Sequence, residues 1–335
     1  MRLSQTLCLI ALLPGLALAA DTSYPWQQVP AKVLPTGDLE WQPETFRLVK
    51  GPSVRYVDFA AGDDSRSGDS PDQAWKHHPW DVAATGKAKA CAGVHTYIFK
   101  RGVTYRGNLV IDDQGTAEEP IRLTSDPAWG EGEAIIAGSD RITAWTQGQA
   151  QADIPDGGKV WTATLDFTPR SVWMVGTDGE ATRIPLARTP NWTVSDPEDV
   201  MSEWPVWQQP EWWTDKNKAK VGNKTMHLGV DKKHLTQKPD YYRDALVWTE
   251  WGIVMGTPFP TKVEQVSDQG LAFQGVWWND SGKIITGNRY FLEDKPHYLD
   301  SAGEFWFERT GNGGKLHLRL PGDADPNAAH IEAAR

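Results

Sequence analysis

Thr96-Tyr97-Ile98-Phe99, Asn108-Leu109-Val110-Ile111, Ile121-Arg122-Leu123-Thr124 and Ala134-Ile135-Ile136-Ala137 are four short apolar-rich segments at roughly even spacing, each followed by turn residues. From the start of one to the start of the next is never more than thirteen residues, strand included. That leaves no room for the helical crossovers that join parallel strands in an α/β sheet. Hairpin turns of the Asn-Gly kind are missing between them as well. A β-solenoid satisfies both constraints, because each strand bends into the next face and pairs with its counterpart one coil along.

Upstream, Val54-Arg55-Tyr56-Val57-Asp58-Phe59 reads as a strand, and the Gly, Asp and Ser cluster from Gly62 to Gly68 reads as a turn. Pro71 to Trp80 and Val82 to Cys91 leave space for one short helix, limited by Pro79. Residues 21–53 are Pro-rich with little periodicity and are expected to form an extended arm. Downstream the texture changes to Trp-rich strands with long polar loops: Val160 to Leu165, Ser171 to Val175, Leu246 to Val254, Leu271 to Trp277, Arg289 to Leu292, Glu304 to Glu308 and Lys315 to Leu320. These predict an antiparallel, sandwich-like module. Trp192 to Asp240 lacks periodicity, and a loop of that length usually has a binding role or is mobile.

Composition agrees with β structure. The 335 residues include 18 Trp against 9 Phe and 8 Tyr, with 31 Gly and 23 Pro that would interrupt helices throughout. Trp in excess also suits flat contacts with sugar rings, although core packing accounts for most of it. The formal net charge of −10 repels a phosphate backbone and argues against nucleic-acid binding. It also disfavours a strongly acidic glycan unless a local basic strip reverses the sign.

Residues 1–20 have the parts of a secretion signal: Arg2, an apolar run from Leu7 to Ala19, and small residues at Ala17 and Ala19. The run is broken by Pro14 and Gly15 and falls short of the roughly twenty residues that cross a bilayer, so cleavage and secretion are expected, with no membrane span. Cleavage leaves Cys91 as the one thiol, which permits no intrachain disulfide and predicts a small buried hydrophobe.

Val54 to Trp145 resembles the opening of secreted right-handed parallel β-helix proteins of the pectate-lyase-like kind. The resemblance lies in the strand and Gly-Asp-Asp turn, in Tyr97-Ile98-Phe99-Lys100-Arg101-Gly102-Val103-Thr104-Tyr105-Arg106-Gly107, and in Pro120-Ile121-Arg122-Leu123-Thr124. Asn288-Arg289-Tyr290-Phe291-Leu292-Glu293, Leu299-Asp300-Ser301-Ala302-Gly303-Glu304-Phe305-Trp306-Phe307 and Leu316-His317-Leu318-Arg319-Leu320-Pro321 are similar to the module placed before the main helix in such proteins. The implied fold is all-β: the start of a right-handed parallel β-helix over residues 54–145, with an inserted antiparallel β-sandwich-like module over 146–322. Residues 323–335 would then begin the resumed helix, and the catalytic coils of a glycoside hydrolase or polysaccharide lyase would lie beyond Arg335. The implied partner is a polysaccharide or oligosaccharide. A noncatalytic glycan-binding or adhesin-like surface module is the alternative.

Glycoside hydrolysis needs two carboxyl groups, one as acid and one as nucleophile or base. Asp112 and Asp113 follow an expected strand and are candidates, with turn chemistry the plainer account. Asp300 and Glu304, four residues apart, are a second pair, which could equally hold the strand that follows. Asp58, Asp63 and Asp64, with Asp69 nearby, could supply oxygen ligands to calcium, which takes about six to eight. They do not follow the EF-hand spacing, and a solvated turn explains them as well. His77, His78 and His95 lack zinc-site spacing and are expected at the surface or in the cap. Trp204, Trp207, Trp212 and Trp213, interleaved with Pro and Glu, could form a sugar-stacking platform or staple a long loop to the body.

Overall fold

The computed structural model describes residues 31–41, 47–177, 179–191, 196, 198–199, 204–208, 226–252, 259–267, 270–274 and 284–335. Among them the chain is all-β apart from short helical turns. In chain order the elements are β1 (Ala31–Val33), β2 (Leu39–Trp41), β3 (Val54–Val57), α1 (Gly86–Lys89), β4 (Thr96–Phe99), β5 (Thr104–Arg106), β6 (Arg122–Ser125), β7 (Ile135–Ala137), β8 (Ser139–Ile142), β9 (Thr146–Gln147) and β10 (Trp161–Leu165). They continue with β11 (Val172–Val175), β12 (Ala181–Ile184), β13 (Arg188–Thr189), β14 (Met226–Val230), β15 (Leu246–Thr249), β16 (Phe259–Ser267), β17 (Gly270–Gln274), β18 (Tyr290–Glu293), β19 (Glu304–Thr310), β20 (Gly313–Arg319) and β21 (His330–Ala334). No helix among the described residues is long and apolar enough to cross a membrane.

The chain forms two units. The first holds a parallel sheet in the order β3-β4-β6, with Val54 opposite Thr96 and Thr96 opposite Arg122. Tyr97, Ile98 and Phe99 of its central strand are buried, as expected for a strand flanked on both sides. The segment before β3, expected to be extended, carries the antiparallel hairpin β1-β2. The helix expected between Pro71 and Cys91 shrinks to one turn at Pro71–Gln73 and the four residues of α1.

The second unit contains β5 paired in parallel with β7, Thr104 opposite Ile135. The chain therefore runs from β4 to β5 and from β6 to β7, and each strand bonds to its counterpart rather than to its neighbour in sequence. Asn108-Leu109-Val110-Ile111 does not form the expected strand. Only Leu109 bridges, to Asp81, and Val110 and Ile111 are exposed. Gly107 turns the chain at a φ of +149°, where a Cβ would lie 2.6 Å from the Asp81 carboxylate.

Three antiparallel sheets make up the rest of this unit: β19-β20-β10-β9, β12-β11-β21-β8, and β13-β18-β15-β16-β17-β14. Alternation along β19 joins two cores. Phe305 and Phe307 pack with Leu316, Leu318, Val172 and Ile331, whereas Trp306 on the opposite face packs with Tyr298, Leu299 and Tyr290. His330–Ala334 was expected to begin a parallel coil. It is instead an inner antiparallel strand between β11 and β8, because its alternating Ile331 and Ala333 complete the apolar face of that sheet.

Candidate functional site

Cross-strand register builds a cleft on one face of the six-stranded sheet. Glu293 of β18 lies opposite both Arg188 of β13 and Leu246 of β15, and Phe291 lies opposite Trp248. Residues two apart on a strand share a face, so Leu246 with Trp248, and Phe291 with Glu293, point the same way, while Val247, Tyr290 and Leu292 enter the core behind. Arg170, Ser171, Arg183, Phe305 and Arg309 line other walls of a cleft of about 560 Å³.

Trp248 and Phe291 lie parallel, with ring centroids 6.0 Å apart and planes 5° apart. The Arg188 guanidinium sits 5.8 Å from the Phe291 ring centre, within cation–π range. Trp204 meets the same ring edge-on at 5.5 Å. Trp248 Nε1 donates a hydrogen bond to Glu293 Oε2. Burial pushes the Glu293 carboxyl up to about 7, against the pull of that hydrogen bond and of Arg188. A carboxyl so placed can hold or release a proton near neutral pH, which is what a general acid or base requires. Arg309 is engaged by Asp294 at 2.9 Å.

Glu304 lies on β19 beside this cleft. Burial, then the charge of Asp300, raises its carboxyl to about 8, and Glu293 pushes in the same direction. Its Oε2 is buried without a hydrogen-bond partner among the described residues. Because Phe305 and Phe307 face the cleft, alternation turns Glu304 to the other face of β19. Asp300 is exposed and accepts a hydrogen bond from Asn191 Nδ2. The predicted pair Asp300 and Glu304 is thus in electrostatic contact.

The other predicted acids are used locally. Asp112 is exposed, and Asp113 accepts from the Gln114 amide. Asp58 accepts from the Ala60 and Ala61 amides and pairs with Lys100 at 2.7 Å. Asp63 accepts from the amide and hydroxyl of Ser65. Asp64 accepts from the Lys76, His77 and Thr85 amides, the His77 ring and the Thr85 hydroxyl. The carboxylate oxygens proposed for calcium thus organise the turn after β3, and no cluster of three metal-ligating side chains occurs among the described residues.

Trp207 is not a sugar platform. It is fully buried, stacked on Tyr290 with centroids 3.7 Å apart, donates to Thr249 Oγ1, and packs where a Cβ on Gly229 would lie 2.5 Å from its ring. Trp204 is half-buried at the edge of the cleft, and Trp212 and Trp213 lie outside the described residues. His78, expected at the surface or in the cap, is buried against Trp80, Tyr97 and Phe99, and burial pushes its imidazole down to about 4. Cys91 is half-buried rather than buried.

Sequence reasoning missed Glu293, Trp248, Phe291 and the arginines. The signal was the period-two pattern Leu246-x-Trp248 and Phe291-x-Glu293, which puts an aromatic and an acid on one face, but only the cross-strand register reveals that the two faces coincide.

No protein-family model matches the sequence, and the comparison with curated proteins finds no match. A solved structure described as a glycoside hydrolase is similar over 84% of this chain, with a TM-score of 0.51 and 14% identity. The match spans 46% of that protein's length. At this identity the likeness is one of fold.

Proposed function

We propose that this chain is the N-terminal portion of a secreted, carbohydrate-active protein that opens a right-handed parallel β-helix and carries a saccharide-binding cleft on its antiparallel module. The observation that carries the reading is the stacked Trp248–Phe291 pair beside Glu293. A sugar ring presents C–H groups to an aromatic face and hydroxyls to a neighbouring carboxyl, and this surface offers both. The parallel bonding of β4 with β6 and of β5 with β7 supports the β-helix, and the fold likeness to a protein described as a glycoside hydrolase supports the carbohydrate role. The export signal in residues 1–20 supports secretion.

The test is calorimetric titration of residues 20–335 with a panel of neutral and acidic oligosaccharides, in parallel with Trp248→Ala. Saturable binding that weakens at least about tenfold in the variant is expected, an aromatic–sugar contact of this kind being worth on the order of 1–2 kcal/mol. A folded chain that binds no saccharide would overturn the reading. Reducing ends and unsaturated-product absorbance should be followed on the same panel. Glu293, with its carboxyl near 7, is suited to protonate a leaving oxygen. If reducing ends appear, Glu293→Gln should abolish them while leaving affinity within a few-fold.

A further inference from the structure

We infer that the saccharide taken by this cleft is acidic, its carboxylate or sulfate group held by Arg170 and Arg183 while its ring lies on Trp248 and Phe291. The inference rests on the saccharide reading above and adds the charge of the ligand. The chain as a whole carries a formal charge of −10, yet arginines from four separate stretches converge on one cleft: Arg170 before β11, Arg183 on β12, Arg188 on β13 and Arg309 on β19.

They are not equivalent. Arg309 is occupied by Asp294, and Arg188 lies over Phe291 opposite Glu293. Arg170 and Arg183 are exposed, and neither guanidinium has a hydrogen bond or an ion pair within 4.0 Å among the described residues. Arg183 meets Glu293 only through charge, so both guanidiniums keep their donors for a ligand beside the aromatic rings. These donors suit a carboxylate or sulfate, which guanidinium groups bind in a planar, two-point manner.

Glu293 is the acid lining the cleft, and it does not cancel this field. Burial holds its carboxyl near 7 despite Arg188 and Arg183, so it is about half protonated at neutral pH and can donate to an anionic oxygen. Asp294, next along the chain, is spent on Arg309. A volume of about 560 Å³ falls within the roughly 300–1,000 Å³ typical of small-molecule sites, enough for a short oligosaccharide segment.

The experiment is isothermal titration of the wild type, the double variant Arg170→Ala/Arg183→Ala and Trp248→Ala. The four probes are a neutral oligosaccharide, a uronic-acid oligosaccharide, a sulfated oligosaccharide and polyaspartate as an anion without sugar. Expected is a preference of at least about tenfold for one acidic sugar over the neutral one, lost in the double variant and weakened by Trp248→Ala. Which acidic sugar wins identifies the anion. Equal binding of neutral and acidic sugars, unchanged in the double variant, would overturn the inference and leave the saccharide reading standing. Polyaspartate binding as tightly as the acidic sugars, with Trp248→Ala indifferent, would remove the saccharide reading and the inference with it. No binding of any probe by a folded chain would do the same.

Discussion

The turn after β3 and the cleft on the six-stranded sheet both bury carboxylates, and they treat them in opposite ways. Asp64 is buried, a condition that raises a carboxyl, but hydrogen bonds from His77 and Thr85 outweigh it and hold the group below its ordinary range. Glu293 and Glu304 are buried with few donors, and both rise to near-neutral values. Asp231, in the second unit, is likewise buried and well supplied with donors. Its carboxylate accepts from the Lys233 and His234 amides, the His234 ring and the Tyr290 hydroxyl. The number of donors reaching a buried carboxylate therefore separates acids that hold a turn from acids able to exchange protons, better than proximity in sequence does.

The largest effect that could break this contrast belongs to Glu304. Its carboxyl is raised in the folded state above its value in the unfolded chain, so folding takes up a proton between those two values. The stability it contributes is complete below about pH 4.5 and is lost as pH rises through about 8. Glu304→Gln, which stays neutral, should match the wild type at pH 4 and exceed it by about 5 kcal/mol at pH 9. Urea unfolding at the two pH values reads this directly, and other groups cancel in the difference. Curves that stay parallel would show that Glu304 is not starved of donors.

Asp64 gives the opposite test. Asp64→Ala removes the acceptor of the part-buried amides of Lys76, His77 and Thr85, at a cost of about 2 kcal/mol in urea unfolding. Asp113→Ala, which removes a single exposed contact to Gln114, should leave the midpoint in place. Equal effects from the two substitutions would mean that donor count does not distinguish them.

The parallel strands were legible because their spacing excludes helical crossovers and hairpins, a constraint of chain length that needs no partner. Asn108–Ile111 has the same apolar texture but forms no strand, since Gly107 redirects the chain against Asp81, a contact between residues 26 positions apart. Of the antiparallel strands, β10, β11, β15 and β17 to β20 were legible from alternation, whereas β14 and the long β16 were not, β14 lying in a stretch without periodicity. Register was not legible either, and register is what joins Arg188 to Glu293 and Phe291 to Trp248. Of the acidic pairs, Asp300 and Glu304 feel each other's charge because both sit in one short motif. The aromatic run misled for a related reason: composition puts Trp204 and Trp207 together, while only the pairing of β14 with β17 and the bare backbone of Gly229 show that Trp207 fills the core.

Trp204 and Trp207 give the comparison its finest test, since they stand three residues apart with opposite surroundings. Trp204 keeps part of its surface exposed, meets Phe291 edge-on, and lies under the Arg289 guanidinium at 5.9 Å. It borders a small recess that shares Arg188 and Phe291 with the cleft, so its ring extends the aromatic wall without supporting the core. Trp204→Ala should therefore change stability by about 1 kcal/mol or less, in line with a single aromatic contact. In the same variant, saccharide affinity should fall by a few-fold in calorimetric titration. A stability loss of several kcal/mol would make Trp204 a staple of its loop, as Trp207 is of the core. Unchanged affinity with unchanged stability would confine the sugar surface to Trp248 and Phe291.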